Sequence, residues 1–279
     1  MSFFEKILHF AQQYRMTTPR SYGWFHLTFL FVVLFSTVGV CIWFYHHPSN
    51  KTLRRFLFVC WVVVALLEIG KQLIFSFSLA PETQEVIWDY QWYAFPFQLC
   101  SSPLYLLPFA AFLREGKVRQ GVCTFLATFS LFGGIVVFSY PNDVFISNLF
   151  INVQTMVHHG IQVIVGVLLL CYYRKELNPK WFLYSLAVYA VIIATAMLLN
   201  WVIPHFTDET FNMFYISPYF PCTLPILSTI YSLVPYPVFL LLYLLGFSGI
   251  AIGIFYASKG ATKLIRKASD CIRVKKDKK

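Results

Sequence analysis

Long apolar runs separated by short polar gaps dominate this chain. Seven stretches approach the length needed to cross about 30 Å of hydrocarbon as a helix. They lie at about residues 24–45, 56–79, 96–113, 121–140, 146–171, 181–203 and 235–257. The third is the shortest and carries Pro96, Pro103 and Pro108, so a kinked or partly broken helix is expected there. The pattern predicts an all-α polytopic membrane protein, a bundle of seven transmembrane helices.

The gaps sort by charge. Lys51, Arg54 and Arg55 fill one, Arg114, Lys117 and Arg119 another, and Arg174, Lys175 and Lys180 a third, while nine more cations run from Lys259 to Lys279. The alternate gaps (80–95, 141–147 and 204–234) hold no Lys or Arg, only Glu82, Glu85, Asp89, Asp143, Asp208 and Glu209. Eighteen of the 22 cations thus fall on one side, which the positive-inside rule makes cytoplasmic. The N-terminus is expected outside and the C-terminus inside, in a multi-pass protein of the cell membrane.

Composition agrees: 58% of residues are hydrophobic and only 12% charged, about half the charge of a soluble domain. The net charge of +10 is topological and is no nucleic-acid footprint. Residues 1–20 read as an interfacial segment, with Phe3, Ile7, Phe10 and Ala11 at helical spacing, or as a frayed tail. Residues 21–258 form the membrane core, and the basic tail 259–279 is expected to bind anionic lipid head groups. No cleavable signal peptide is expected, since the first apolar run starts after residue 23 and is too long. The segment 204–234, with Pro204, Pro218, Pro221 and Pro225, reads as a re-entrant cap or an interfacial stretch. The seven cysteines form no disulfide framework, and no CxxC, HExxH or phosphate-binding glycine loop is present, so no metal or cofactor is expected.

Ionisable groups inside a membrane are expensive, about 2.5–3.5 kcal/mol each on insertion scales, and each is a functional candidate. Glu68 and Lys71, with Gln72 beside them, share one face of the second stretch. They either pin helix packing or orient a polar substrate. In the fifth stretch Gln154, His158 and Gln162 make one stripe, and Asn148, Asn152, Thr155 and His159 the next. Together they span a polar sector about 160° wide, which cannot face lipid. Cys100 opens the third stretch within Phe95-Pro96-Phe97-Gln98-Leu99-Cys100-Ser101. A Cys with a His is the minimum set for an activated thiolate.

These motifs carry a family resemblance. The FPFQLCS segment, Gly133-Gly134 before Tyr140-Pro141, and His158-His159 resemble the YwaF-type integral membrane proteins of bacteria. That group is similar to a eukaryotic transmembrane acyltransferase family that remodels ether phospholipids. The resemblance covers roughly residues 20–258. It implies Cys100 as nucleophile and His158 or His159 as base, acting on membrane phospholipids. Gln98 stands where many relatives carry His. On that reading Gln98, Ser101, Asn152 or Gln154 would donate to the oxyanion, and Glu68 and Lys71 would hold a head group.

Two other classes stay open. A transporter would use Glu68, Lys71, His158 and His159 as a pathway, but the run Val163–Leu170 that follows is dry. A receptor or scaffold would have to work through very short cytoplasmic loops.

Overall fold

The computed structural model describes residues 15–276 apart from 81, 84, 142 and 143, together with Glu5 and Lys6, and describes side chains as far as Lys263. The expected amphipathic helix at 2–15 lies almost wholly outside the described residues. Where the chain resumes, Arg15 bridges Asn148 and the Met16 amide donates to the Ser147 carbonyl at 3.0 Å.

Among the described residues the chain is helical apart from one short hairpin and an isolated bridge, and six helices are long and apolar enough to cross a membrane. They are α1 Trp24–His46, α2 Asn50–Ser76, α4 Lys117–Ser139, α5 Leu149–Tyr172, α6 Pro179–Val202 and α8 Tyr236–Lys276. Their starts follow local chemistry. Ser49, Asn148 and Asn178 each cap a helix through a side chain that accepts a backbone N–H, and Pro179 follows at a position that needs no donor.

The third expected span departs from the pattern. Only α3, Ser102–Phe112, is α-helical, and it is preceded by a 3-10 turn at Leu99–Ser101. Eleven residues rise about 16 Å, half of the hydrocarbon thickness. Pro96 holds Phe95 out of the α conformation, whereas Pro103 sits in the first turn of α3, where a helix needs no donor. Upstream, β1 Phe77–Leu79 and β2 Val86–Trp88 form an antiparallel hairpin pairing Phe77 with Trp88. A 3-10 turn at Trp92–Ala94 then leads the chain back inward.

The core sits on α4 and α5. Their most apolar windows are 72% and 61% buried, against 17–28% for the other four spans, whose outer faces are left for lipid. Close approach depends on small residues, as in membrane helix packing generally. A Cβ on Gly121 would lie 2.8 Å from the Tyr184 carbonyl of α6, and one on Gly166 would lie 2.6 Å from Leu131 of α4. Midway, α4 opens into a π turn at Leu126–Ser130 that is buried throughout.

The short α3 ends against two arginines. Arg54 donates to the Ala111 and Leu113 carbonyls at 2.9 and 2.6 Å, and Arg119 to the Ala110 carbonyl at 2.9 Å. These are carbonyls that a helix C-terminus leaves without partners. Arg119, only 1% exposed, also donates to the Tyr173 hydroxyl at 2.6 Å and pairs with Glu115 at 2.7 Å. Arg54 and Asn50 complete the cluster on Glu115 at 3.1 and 2.9 Å.

Partial burial works against the Glu115 charge, but Arg119, Asn50 and Arg54 outweigh it and hold the carboxyl below its ordinary 4.5. A group held below its unfolded value stabilises the fold fully above that value and loses its contribution as pH falls through the folded one. The unfolding midpoint of the wild type is therefore expected to fall toward that of Glu115→Gln in the acid range below 4.5. The effect is modest, because Glu115 is half exposed. A gap between the two proteins that stays constant through that range would contradict it.

The segment 204–234 packs into the bundle through its middle. Phe211, Met213, Phe214, Ile216 and Cys222 are buried in the main core. Asn200 of α6 holds Met213 by both its amide and its carbonyl, at 2.6 and 2.8 Å. A short helix α7, Leu227–Leu233, leads into α8, which continues through the basic tail to Lys276.

Candidate functional site

The 3-10 turn Leu99–Ser101 ends inside the bundle, against α4 and α5. Cys100 sits so close to α4 that a Cβ on Gly133 would lie 3.9 Å from the Cys100 Cα. Its backbone carbonyl, which Pro103 three residues on has no N–H to serve, receives two side chains of α5. His158 Nε2 lies 2.8 Å from this oxygen, and the Gln162 amide donates to it as well.

A carbonyl oxygen only accepts, so the His158 proton is on Nε2 and Nδ1 carries the lone pair. Nδ1 is buried and has no hydrogen-bond partner among the described residues. Nδ1 is thus the basic atom of the ring. His159 is held the other way: Nδ1 donates to the Thr155 carbonyl at 2.6 Å and Nε2 is left without a partner. Its ring lies 5.5 Å from that of His158, and its hydrogen bond goes to its own helix rather than to the Cys100 turn. The structure therefore joins Cys100 to His158 through the backbone carbonyl.

Ser102 Oγ, Ser130 Oγ and Gln162 Oε1 are further buried oxygens without partners among the described residues. Gly134 brings the helices close enough for this arrangement. A Cβ there would meet the His159 carbonyl and Gln162 Cβ, both at 2.9 Å.

A second polar group surrounds Glu68, which is 4% exposed. Lys71 Nζ lies 2.8 Å from its Oε1, Gln72 donates to the same oxygen at 2.7 Å, and Gln154 reaches Oε2 at 3.5 Å. Gln72 also donates to the Ala94 carbonyl at 2.9 Å and accepts from the Tyr90 hydroxyl at 3.0 Å. Burial, and then the Glu68 charge, push the Tyr90 phenol up to about 12, which keeps it a neutral donor. Glu68 and Lys71 lie within electrostatic reach of both Cys100 and His158, so the two groups adjoin.

The remaining predicted residues stand apart or are engaged elsewhere. Gln98 spends its amide on the 212–214 loop, donating to the Asn212 carbonyl at 3.0 Å and accepting from the Phe214 amide at 2.6 Å. Asn152 spends both ends of its amide on Ile146, at 2.7 and 2.9 Å. Ser101 is buried beside Cys100 on the same turn. Among the described residues no group of three or more His, Cys, Asp or Glu could hold a metal ion.

Three contributors were not singled out as site residues by the sequence. Gln162 lies on the His158 stripe one turn further on, a signal that was present. Gly134 reveals itself only through the close approach of α5. Tyr90 lies in a gap whose folding back onto α2 carries no local mark.

A family model described as the TMEM164 family matches residues 21–259. No curated protein and no solved structure matches the chain.

Proposed function

The chain belongs to the TMEM164 family of transmembrane proteins, and from that premise we propose that it moves acyl chains between membrane phospholipids through Cys100 and His158. The observation that carries the reading is His158 on the Cys100 turn, with Nε2 anchored to the carbonyl and Nδ1 free. Proton transfer requires the Cys100 rotamer that turns Sγ toward that nitrogen.

In this mechanism Nδ1 takes the thiol proton, and the thiolate attacks the ester carbonyl carbon of a phospholipid. The tetrahedral intermediate collapses by breaking the bond to the glycerol oxygen. That oxygen takes the proton from His158, giving a lysolipid and a thioester on Cys100. The hydroxyl of a second lysolipid then attacks the thioester, losing its proton to Nδ1, and the proton returns to the departing sulfur. Ser101 is the oxyanion donor best placed, because the Gln98 and Asn152 amides are engaged. Lys71 and Glu68 neutralise each other beside the site, with Gln154 fixing Glu68 from α5. His159 packs behind His158 as an alternative base.

The finer placement belongs to the same proposal. The half helix at Leu99–Phe112 counts as an incomplete seventh crossing, which puts the N-terminus outside and the C-terminus inside under the cation bias. The protein sits in the cell membrane, its basic tail on anionic head groups. The resemblance to YwaF-type proteins makes it a bacterial branch.

The test is labelling of the purified protein by an alkyne-tagged phospholipid. A hydroxylamine-labile acyl group is expected on Cys100 and is lost in Cys100→Ala and His158→Ala. Label that survives Cys100→Ala would sink the mechanism.

A further inference from the structure

A groove of about 410 Å³ runs along α2 past Glu68. One wall is the α2 face Ala65, Ile69 and Leu73, with Leu104 of α3 opposite and Phe77 of β1 and Trp88 of β2 at the end. From Ala65 to its end at Ser76 the helix rises about 16 Å. One leaflet of hydrocarbon is about 15 Å, half of the full core. The groove therefore has the length of a single leaflet and runs along the axis of a helix that crosses it. Ile69 and Trp88 are 58% and 68% exposed, so its side is open to lipid.

Glu68 and Gln72 also line it, which would argue against an apolar occupant if their polar atoms faced it. They do not. Both Glu68 oxygens are taken by Lys71, Gln72 and Gln154, and the Gln72 amide by Glu68, Ala94 and Tyr90. What remains toward the groove is methylene. The volume lies in the range of ligand pockets, about 300–1,000 Å³. At the hairpin end, Trp88 stacks with Tyr90 at 5.7 Å and meets Phe77 edge-on at 5.3 Å. Such amphipathic rings favour the head-group level.

We infer that this groove is a binding site for one acyl chain of a glycerophospholipid, lying along α2 with its head group at the level of Trp88 and Tyr90. The chain enters sideways from the bilayer and passes the Glu68 level, beside Cys100. The inference deepens the acyl-transfer reading by naming where the lipid is held, and it rests on that reading only for the use made of the chain.

The test uses the full-length Cys100→Ala protein in nanodiscs of phosphatidylcholine bearing a diazirine on one acyl chain, so that labelling is independent of catalysis. After irradiation, crosslinks are expected on residues 65–77 and on Leu104 at about tenfold the level on the lipid-exposed α1 face around Leu34 and Phe35, a preference worth about 1.4 kcal/mol. Ala65→Trp, which fills the groove, is expected to reduce them to the α1 level. Leu73→Trp serves if Ala65→Trp does not fold, as judged by its unfolding midpoint. Equal labelling of the two faces, or groove labelling that both tryptophans leave unchanged, overturns the site. A thioester on Cys100 of the unmutated protein without groove labelling removes the groove alone. Groove labelling without a thioester removes acyl transfer alone.

Discussion

Replacing Arg119 by methionine is expected to destabilise the protein by about 2–6 kcal/mol, about 1–3 for each of the two buried groups that lose their donor. The side chain is 1% exposed and ties together four segments: α2 through Asn50, the α3 end through Ala110, the α3–α4 connection through Glu115, and α5 through Tyr173. Methionine fills much of the volume but leaves the Ala110 carbonyl and the Tyr173 hydroxyl without a donor. Arg119→Lys keeps the charge and loses the fork, so it is expected to fall between the two. Thermal unfolding in detergent reads the difference. A loss under about 1 kcal/mol for the methionine variant would mean that α3 is held elsewhere.

The adjacent glycines of α4 should respond oppositely to the same substitution. Gly133→Ala adds a methyl with only Cys100 Cα near it, at 3.9 Å, and gains helix propensity of about 1 kcal/mol. Gly134→Ala drives a methyl to 2.9 Å from the His159 carbonyl, and backbone there cannot swing aside. Overpacking of this kind costs about 1–3 kcal/mol and pushes α5 outward at the turn that carries His158 and Gln162. The expected result is a Gly133→Ala protein at least as stable as the wild type and still labelled on Cys100, beside a Gly134→Ala protein that has lost label. Equal labelling of both would show that the helix contact does not set the position of His158.

Local periodicity made part of this legible. The spacing of Glu68 and Lys71 becomes an ion pair of 2.8 Å, and the polar stripes of α5 are buried as a sector that cannot face lipid must be. Prolines announced the broken third span, although not that its helical part would shrink to eleven residues. The rest depends on contacts distant in sequence. Gln98 looked like a neighbour of the cysteine, yet its partners lie 114 and 116 residues on. Asn152 shared a stripe with the histidines and caps the loop at Ile146 instead. No window around Arg119 could show that a topological cation also finishes a helix.

The two donors that hold the Cys100 carbonyl come from residues 58 and 62 positions later in the chain. During synthesis the half helix therefore emerges with that carbonyl unsatisfied. Irregular backbone at membrane depth persists only where protein buries it. Individual helices insert first and associate afterwards, so the Cys100 turn can be completed only once α5 has been made and has docked. In the proposed mechanism, a chain stalled before α5 would hold the thiol without the histidine that serves it as base.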